Sequence, residues 1–280
     1  MDPRTHPQPA AGYATAFVQR VLDDALAHGA WCYGITGLQG SGKTTLAHQV
    51  AALAARGGRA VVVLSIDDVY LDQPARAQLA RDVHPLLATR GPPGTHDVAL
   101  ACGVLDALRD GKSVPLPRFD KMGDRRWPQA AWPASGRADL VLLEGWFNQV
   151  PAEHEDDLAD PRNALERDED PVGTWRRYCN AALGRDYPPL WQRMDRSLFL
   201  QPPGFEAVPG WRWQQEQTLR AANPACTAMD EAQVLRFVQH FERVSRQALR
   251  TLPGLADVVV ELDAARQPMA WRERATAPRS

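Results

Sequence analysis

Apolar positions along the chain fall into two periods. Short, largely uninterrupted apolar runs occur at 31–36 (WCYGIT), 60–66 (AVVVLSI), 139–143 (DLVLL), 196–200 (RSLFL) and 258–262 (VVVEL). Runs of that length predict strands covered on both faces, as in a parallel sheet. Between them, apolar residues recur at three- and four-residue spacing over 13–28, 44–55, 75–83, 98–109, about 175–183, 211–221 and 230–250. That spacing predicts amphipathic helices. Gly29 and Gly57-Gly58 stand where the first two helices should stop, and Asp230 where the last should be capped. Strands alternating with helices imply an α/β fold with a mostly parallel sheet.

Composition narrows the class. A chain of 280 residues with 44% hydrophobic content can bury a substantial core. Residues 1–12 are Pro-rich and read as a disordered tail. Residues 13–280 read as a single domain, with a polar, loop-rich insertion at about 147–192 and a lid at about 203–229. A net charge of −2 speaks against a nucleic-acid surface, which needs a basic face. No run approaches the ~18 apolar residues of a membrane span, and the opening MDPRTHPQPAAG lacks a signal-peptide core. A soluble cytoplasmic protein is expected. Cys32, Cys102, Cys179 and Cys226 show no zinc or redox spacing and read as free thiols. Of 32 basic residues only Lys43, Lys112 and Lys121 are lysines, so the position of each is informative.

The first lies in Gly37-Leu38-Gln39-Gly40-Ser41-Gly42-Lys43-Thr44, a full G-x-x-x-x-G-K-S/T pattern between a predicted strand and a predicted helix. Glycines let the backbone N–H groups turn inward around phosphates, and the following helix presents its positive end. Lys43 would reach the β- and γ-phosphates of ATP, and the Thr44 hydroxyl would ligate Mg²⁺, with Gln39, Ser41 and Thr45 completing the loop. No N-K-x-D guanine motif occurs, which speaks against a GTPase.

Two other strand runs end in acid: Asp67-Asp68 and Glu144. Ligands of such sheets bind at the carboxyl ends of the strands. One acid there can support the Mg²⁺ shell, and another can orient or deprotonate an acceptor hydroxyl. A helix-capping role for the aspartate pair is the alternative.

Taken in order, GLQGSGKTT, SIDDVYLD, RGPPGTHD, LPRFDK, GDR, LLEGW and WRWQQE resemble the motif series of the plant-type D-glycerate 3-kinase family, within the phosphoribulokinase, uridine kinase and pantothenate kinase group. The likeness spans about 33–262. It implies a P-loop NTPase fold with a five-stranded sheet in the order 2-3-1-4-5, and transfer of the ATP γ-phosphoryl group, with Mg²⁺, to a hydroxyl of a small acid. By the same resemblance Asp67 is the catalytic base, Asp68 a supporting or capping carboxylate beside an arginine, and Glu144 a support for the metal.

The remaining motifs fall on the acceptor side. Arg90 and His96 would line the pocket, as would Tyr70 and Asp120. Arg118, Lys121 and Arg125 form a cationic segment suited to an anionic acceptor. Arg212 would reach phosphates from the lid. Asn163 and Glu166 match a family motif with no evident chemistry. A kinase for a sugar, nucleoside or pantothenate-like acceptor, and an ATP-binding regulator with slow hydrolysis, are the competing readings.

Overall fold

The computed structural model describes residues 12–222 and 229–274. Most of the expected N-terminal tail, the C-terminal end of the expected lid and Cys226 lie outside the described residues. The strands are β1 (Cys32–Gly37), β2 (Val61–Ser65), β3 (Phe119–Asp120), β4 (Arg125–Arg126), β5 (Leu140–Gly145), β6 (Arg196–Gln201), β7 (Val258–Leu262) and β8 (Pro268–Glu273). The helices are α1 (Thr15–Ala27), α2 (Lys43–Arg56), α3 (Gln73–Asp82), α4 (Val98–Arg109), α5 (Ala164–Glu169), α6 (Thr174–Arg185), α7 (Pro188–Trp191), α8 (Ala207–Ala222) and α9 (Glu231–Leu255).

The main sheet runs β2-β5-β1-β6-β7-β8. Its five parallel strands have the expected order 2-3-1-4-5, but the sheet has six strands rather than five. The extra strand, β8, pairs antiparallel with β7 at the edge. Its sequence, PMAWRE, buries little and opens on Pro268, so it carries no run of the kind that marks the central strands.

Side chains of the central strands alternate between two cores. Leu140, Leu142, Leu198, Leu200, Val258 and Val260 pack with α1 and α2 on one face. Val141, Leu143, Phe199 and Val259 pack with α4 and α9 on the other. Both faces are covered, which is why LVLL reads as a continuous apolar run. A smaller core holds Leu86, Leu87, Leu165, Trp175 and Cys179 together.

The Asn163–Glu166 motif proves to be a staple. Asn163 caps α5 by accepting from the Glu166 N–H at 3.0 Å and donates to the Gln239 carbonyl at 2.9 Å. Glu166 is fully buried and holds the Arg243 guanidinium through both oxygens, at 2.8 and 2.7 Å. Arg243 also donates to the Glu153 carboxylate and to the Asp157 and Asp160 carbonyls. The segment between β5 and β6 is thereby tied to α9. Cys32 and Cys179 are buried and Cys102 is partly buried, all three as free thiols. Among the described residues no helix is long and apolar enough to cross a membrane.

Candidate active site

Strand register assembles the site. Ile35 pairs with Glu144, and Glu144 pairs on its other side with Ser65. The loop after β1, the acid of β5 and the turn after β2 therefore meet at one edge of the sheet, as in other open α/β sheets.

The phosphate loop leads directly into α2, whose first residue is Lys43. Gly40 and Gly42 have φ of 81° and 89°, in the left-handed region that glycine tolerates. A Cβ on Gly40 would also lie 2.6 Å from Trp211 Cβ. Gly40→Ala is therefore expected to strain the loop by about 1–3 kcal/mol and to raise the Kd for ATP about tenfold or more, as read by nucleotide titration. Ser41 is buried, and Tyr13, just ahead of α1, donates its hydroxyl to the Ser41 carbonyl at 2.5 Å. Gln49 of α2 clamps both backbone groups of Tyr13, at 2.9 Å each.

Thr44 donates its hydroxyl to Glu144 Oε1 at 3.0 Å. Glu144 is 2% exposed, and its Oε2 has no partner in the protein. A buried carboxylate oxygen left without a donor, beside a hydroxyl with free lone pairs, fits a divalent cation. Behind it, Asn148 folds back to donate to the Leu143 carbonyl, and its Oδ1 occupies the space a Cβ on Gly145 would need.

Asp67 and Asp68 follow β2 in a short 3-10 turn capped by Ser65, whose Oγ accepts from the Asp67 N–H at 3.2 Å. Their environments differ. Asp67 accepts from the Tyr70 hydroxyl at 2.5 Å and from Lys121 Nζ at 2.9 Å. Burial alone would raise its pKa, but the charges of Lys121 and Lys43 and the two hydrogen bonds prevail and hold the carboxyl well below its usual range. Asp68 turns away, accepting from Arg118 at 3.1 Å and from the Phe119 N–H at 3.4 Å. Burial outweighs those partners, and its pKa is pushed up to about 6.

The cationic segment forms the β3–β4 hairpin, and carboxylates meet its charges throughout. Arg90 donates to Asp124 at 2.6 Å and to the Lys121 carbonyl at 2.9 Å, so it braces the hairpin. Asp120 accepts from the Met122 and Gly123 N–H groups and shapes the turn. Arg125 is largely exposed, 3.7 Å from Asp120. Lys121, Arg118, Tyr70 and His96 remain grouped around the two aspartates. His96 is buried, 2.7 Å from the Tyr187 hydroxyl. Arg212 on α8 pairs with Glu216 and feels the charges of Arg90 and Asp67, so it borders the same space.

Sequence reasoning did not find Tyr13, Arg76 or Tyr187. Arg76 is 1% exposed and joins three segments, donating to the Leu71, Ala88 and Asp124 carbonyls while pairing with the Asp124 carboxylate at 2.8 Å. Nothing local marks it, because an arginine on a polar helix normally faces solvent. Buried side-chain atoms without partners gather here: the Gln39 amide, Glu144 Oε2, His96 Nε2 and Arg212 Nε. At the carboxyl end of the sheet, such atoms are groups that a ligand, ion or water can complete.

No protein-family model matches the chain. It is 33% identical over 220 residues to an uncharacterized kinase, mug58, of Schizosaccharomyces pombe, covering 74% of this chain and 77% of that protein. It is 28% identical over 264 residues to the chloroplastic D-glycerate 3-kinase of Arabidopsis thaliana, covering 84% of this chain and 53% of that longer protein. Its fold matches a D-glycerate 3-kinase structure from Cryptococcus neoformans with a TM-score of 0.77 at 24% identity, over 93% of this chain and all of that one. The chain belongs to one family with the kinase mug58 and, like the D-glycerate 3-kinases it resembles, has the fold of the P-loop kinases, ATP-dependent phosphotransferases that act on a hydroxyl of a small molecule.

Proposed function

We propose that the protein transfers the γ-phosphoryl group of ATP to a hydroxyl of D-glycerate or a closely similar small hydroxy acid. The observation that carries this reading is the position of Asp67. Its carboxylate feels the charge of the phosphate-loop Lys43 and lies 2.9 Å from Lys121 of the hairpin. A hydroxyl bound at Asp67 thus has a phosphate-binding lysine on one side and a cation for its own carboxylate on the other.

The chain's own groups divide the work. The phosphate loop and Lys43 hold the β- and γ-phosphates. Asp67 accepts the hydrogen bond of the acceptor hydroxyl, aims it at the γ-phosphorus and takes its proton as the new P–O bond forms. Phosphoryl transfer passes through a loose transition state, so alignment matters more than base strength, and a strongly ionised carboxylate suffices. Lys121 and Arg118 neutralise the acceptor's carboxylate and the transferring charge. Thr44 and Glu144 would hold Mg²⁺, whose charge neutralises the phosphate oxygens when bound. Arg212 on α8, within the expected lid, closes on the phosphates.

ADP release measured with a panel of acceptors tests the proposal. Strong stimulation by D-glycerate is expected. Stimulation by a sugar, nucleoside or pantothenate alone would move the acceptor class. A flat response would leave an ATP-binding regulator.

A further inference from the structure

His96 is fixed by backbone on one side and by a phenol on the other. The Leu71 N–H donates to the Thr95 carbonyl at 2.8 Å and the Asp97 N–H to the Val69 carbonyl at 2.7 Å, bridging His96 to Tyr70. The imidazole is 6% exposed and enclosed by the rings of Tyr70, Phe147 and Tyr187, at 4.9, 5.5 and 5.8 Å between centroids.

The hydrogen bonds specify where its proton resides. The fully buried Tyr187 hydroxyl accepts from the Gly94 N–H at 2.9 Å and lies 2.7 Å from His96 Nδ1. A phenol has one proton to donate. If Nδ1 carried the imidazole proton, the phenolic proton would have no acceptor among the contacts of Tyr187. Donation from Tyr187 to Nδ1 satisfies both groups and leaves the imidazole proton on Nε2. Burial pushes the His96 pKa down to about 3, so the ring is neutral at physiological pH. Nε2–H is then a buried donor with no protein partner, in a ring that feels the charge of Asp67. Leaving such a donor unpaired is unfavourable, which points to an oxygen supplied by the ligand.

We infer that Tyr187 holds His96 as an Nε2–H donor to a second, non-reacting hydroxyl of the bound acceptor, which makes Tyr187 a positioning residue and makes the site selective for hydroxy acids with two hydroxyls. The inference rests on the acceptor binding beside Asp67. A neutral donor suits an uncharged hydroxyl oxygen, whereas Lys121 and Arg118 suit the carboxylate. Tyr187 lies in the segment between β5 and β6, far in sequence from the motifs that mark the site.

The test compares D-glycerate with 3-hydroxypropionate, which keeps the carboxylate and the terminal hydroxyl but lacks the second one. Wild-type enzyme is expected to favour D-glycerate. Tyr187→Phe keeps the ring and removes the hydroxyl. It is expected to raise the KM for D-glycerate about tenfold, the worth of one good hydrogen bond, with the KM for ATP unchanged and at most about a twofold loss with 3-hydroxypropionate. His96→Gln, whose amide N–H can stand in for Nε2–H, should retain part of the preference, and His96→Asn should lose it. Equal losses with both acceptors, or a changed KM for ATP, would overturn the inference. Nitrogen-15 spectra of the acceptor-free protein give a second readout. They are expected to show the Nε2–H tautomer of His96, with the Nδ1 resonance shifted in Tyr187→Phe as its hydrogen bond is lost, and an Nδ1–H tautomer in the wild-type protein would sink the idea whatever the acceptor. Failure of the acceptor reading shows itself separately, as wild-type enzyme that D-glycerate does not stimulate while the tautomer signal persists.

Discussion

Asp67→Asn is expected to lower acceptor-dependent turnover by about 10²–10⁴-fold, the usual weight of a positioned general base, while ATP binding stays nearly intact. The substitution keeps the shape of the side chain. Its oxygen can still accept from the Tyr70 hydroxyl, but its amide N–H₂ would face the Lys121 ammonium, donor against donor. It removes the negative charge that the acceptor hydroxyl would meet, and it touches neither the phosphate loop nor the Thr44–Glu144 pair. Asp68→Asn is the matched control. Asp68 is already committed to Arg118 and to the backbone of Phe119, so its loss should loosen the hairpin and lower turnover only modestly. ADP release against acceptor concentration, alongside ATP titration, separates the two. A nearly active Asp67→Asn beside an inactive Asp68→Asn would transfer the role of base to Asp68, whose pKa near 6 would suit it.

The largest expected effect on stability lies away from the chemistry. Arg243→Met should destabilise the fold by about 3–5 kcal/mol, because it leaves the buried Glu166 carboxylate without its counter-ion. Among the described residues, Glu166 would keep only the Arg162 N–H, at 2.8 Å. Glu153, 3.0 Å from Arg243 and almost as deeply buried, would also lose a partner. Urea unfolding should show a lower midpoint. The double variant Arg243→Met/Glu166→Leu should recover part of the loss, since an apolar pair of similar volume often replaces a buried ion pair without penalty. Strictly additive effects of the two substitutions would mean that the pair is not coupled as its geometry implies.

Legibility in the sequence followed from how far apart the cooperating residues lie. The phosphate loop could be read directly because its chemistry sits in eight consecutive residues. The strand-end acids could be read because a buried parallel strand has a recognisable end, and strand order then brings Glu144 to Thr44. Long-range pairings that strand order does not dictate could not be read. Tyr187 meets His96 across 91 residues, Arg76 meets Asp124 across 48, and Tyr13 meets Ser41 across 28. The carboxylate partners of the cations at 118–126 could not be read either, because composition shows charges and not their pairings. In the folded protein Arg118 and Lys121 face Asp68 and Asp67, Arg126 faces Asp97 and Arg125 approaches Asp120. The strand β8 was missed for a different reason, since an edge strand with one neighbour needs little apolar surface.

Asp124 adopts φ 51°, a backbone conformation unusual for aspartate, and its carboxylate is shared between Arg76 and Arg90. The hairpin is therefore not a detachable module. Transplanting residues 119–126 from a kinase of different acceptor preference would bring new contact residues but strand the two arginines that receive them. Drift in acceptor choice along this lineage should proceed through coordinated exchange at positions 76, 90 and 124, with single substitutions at any one of them selected against.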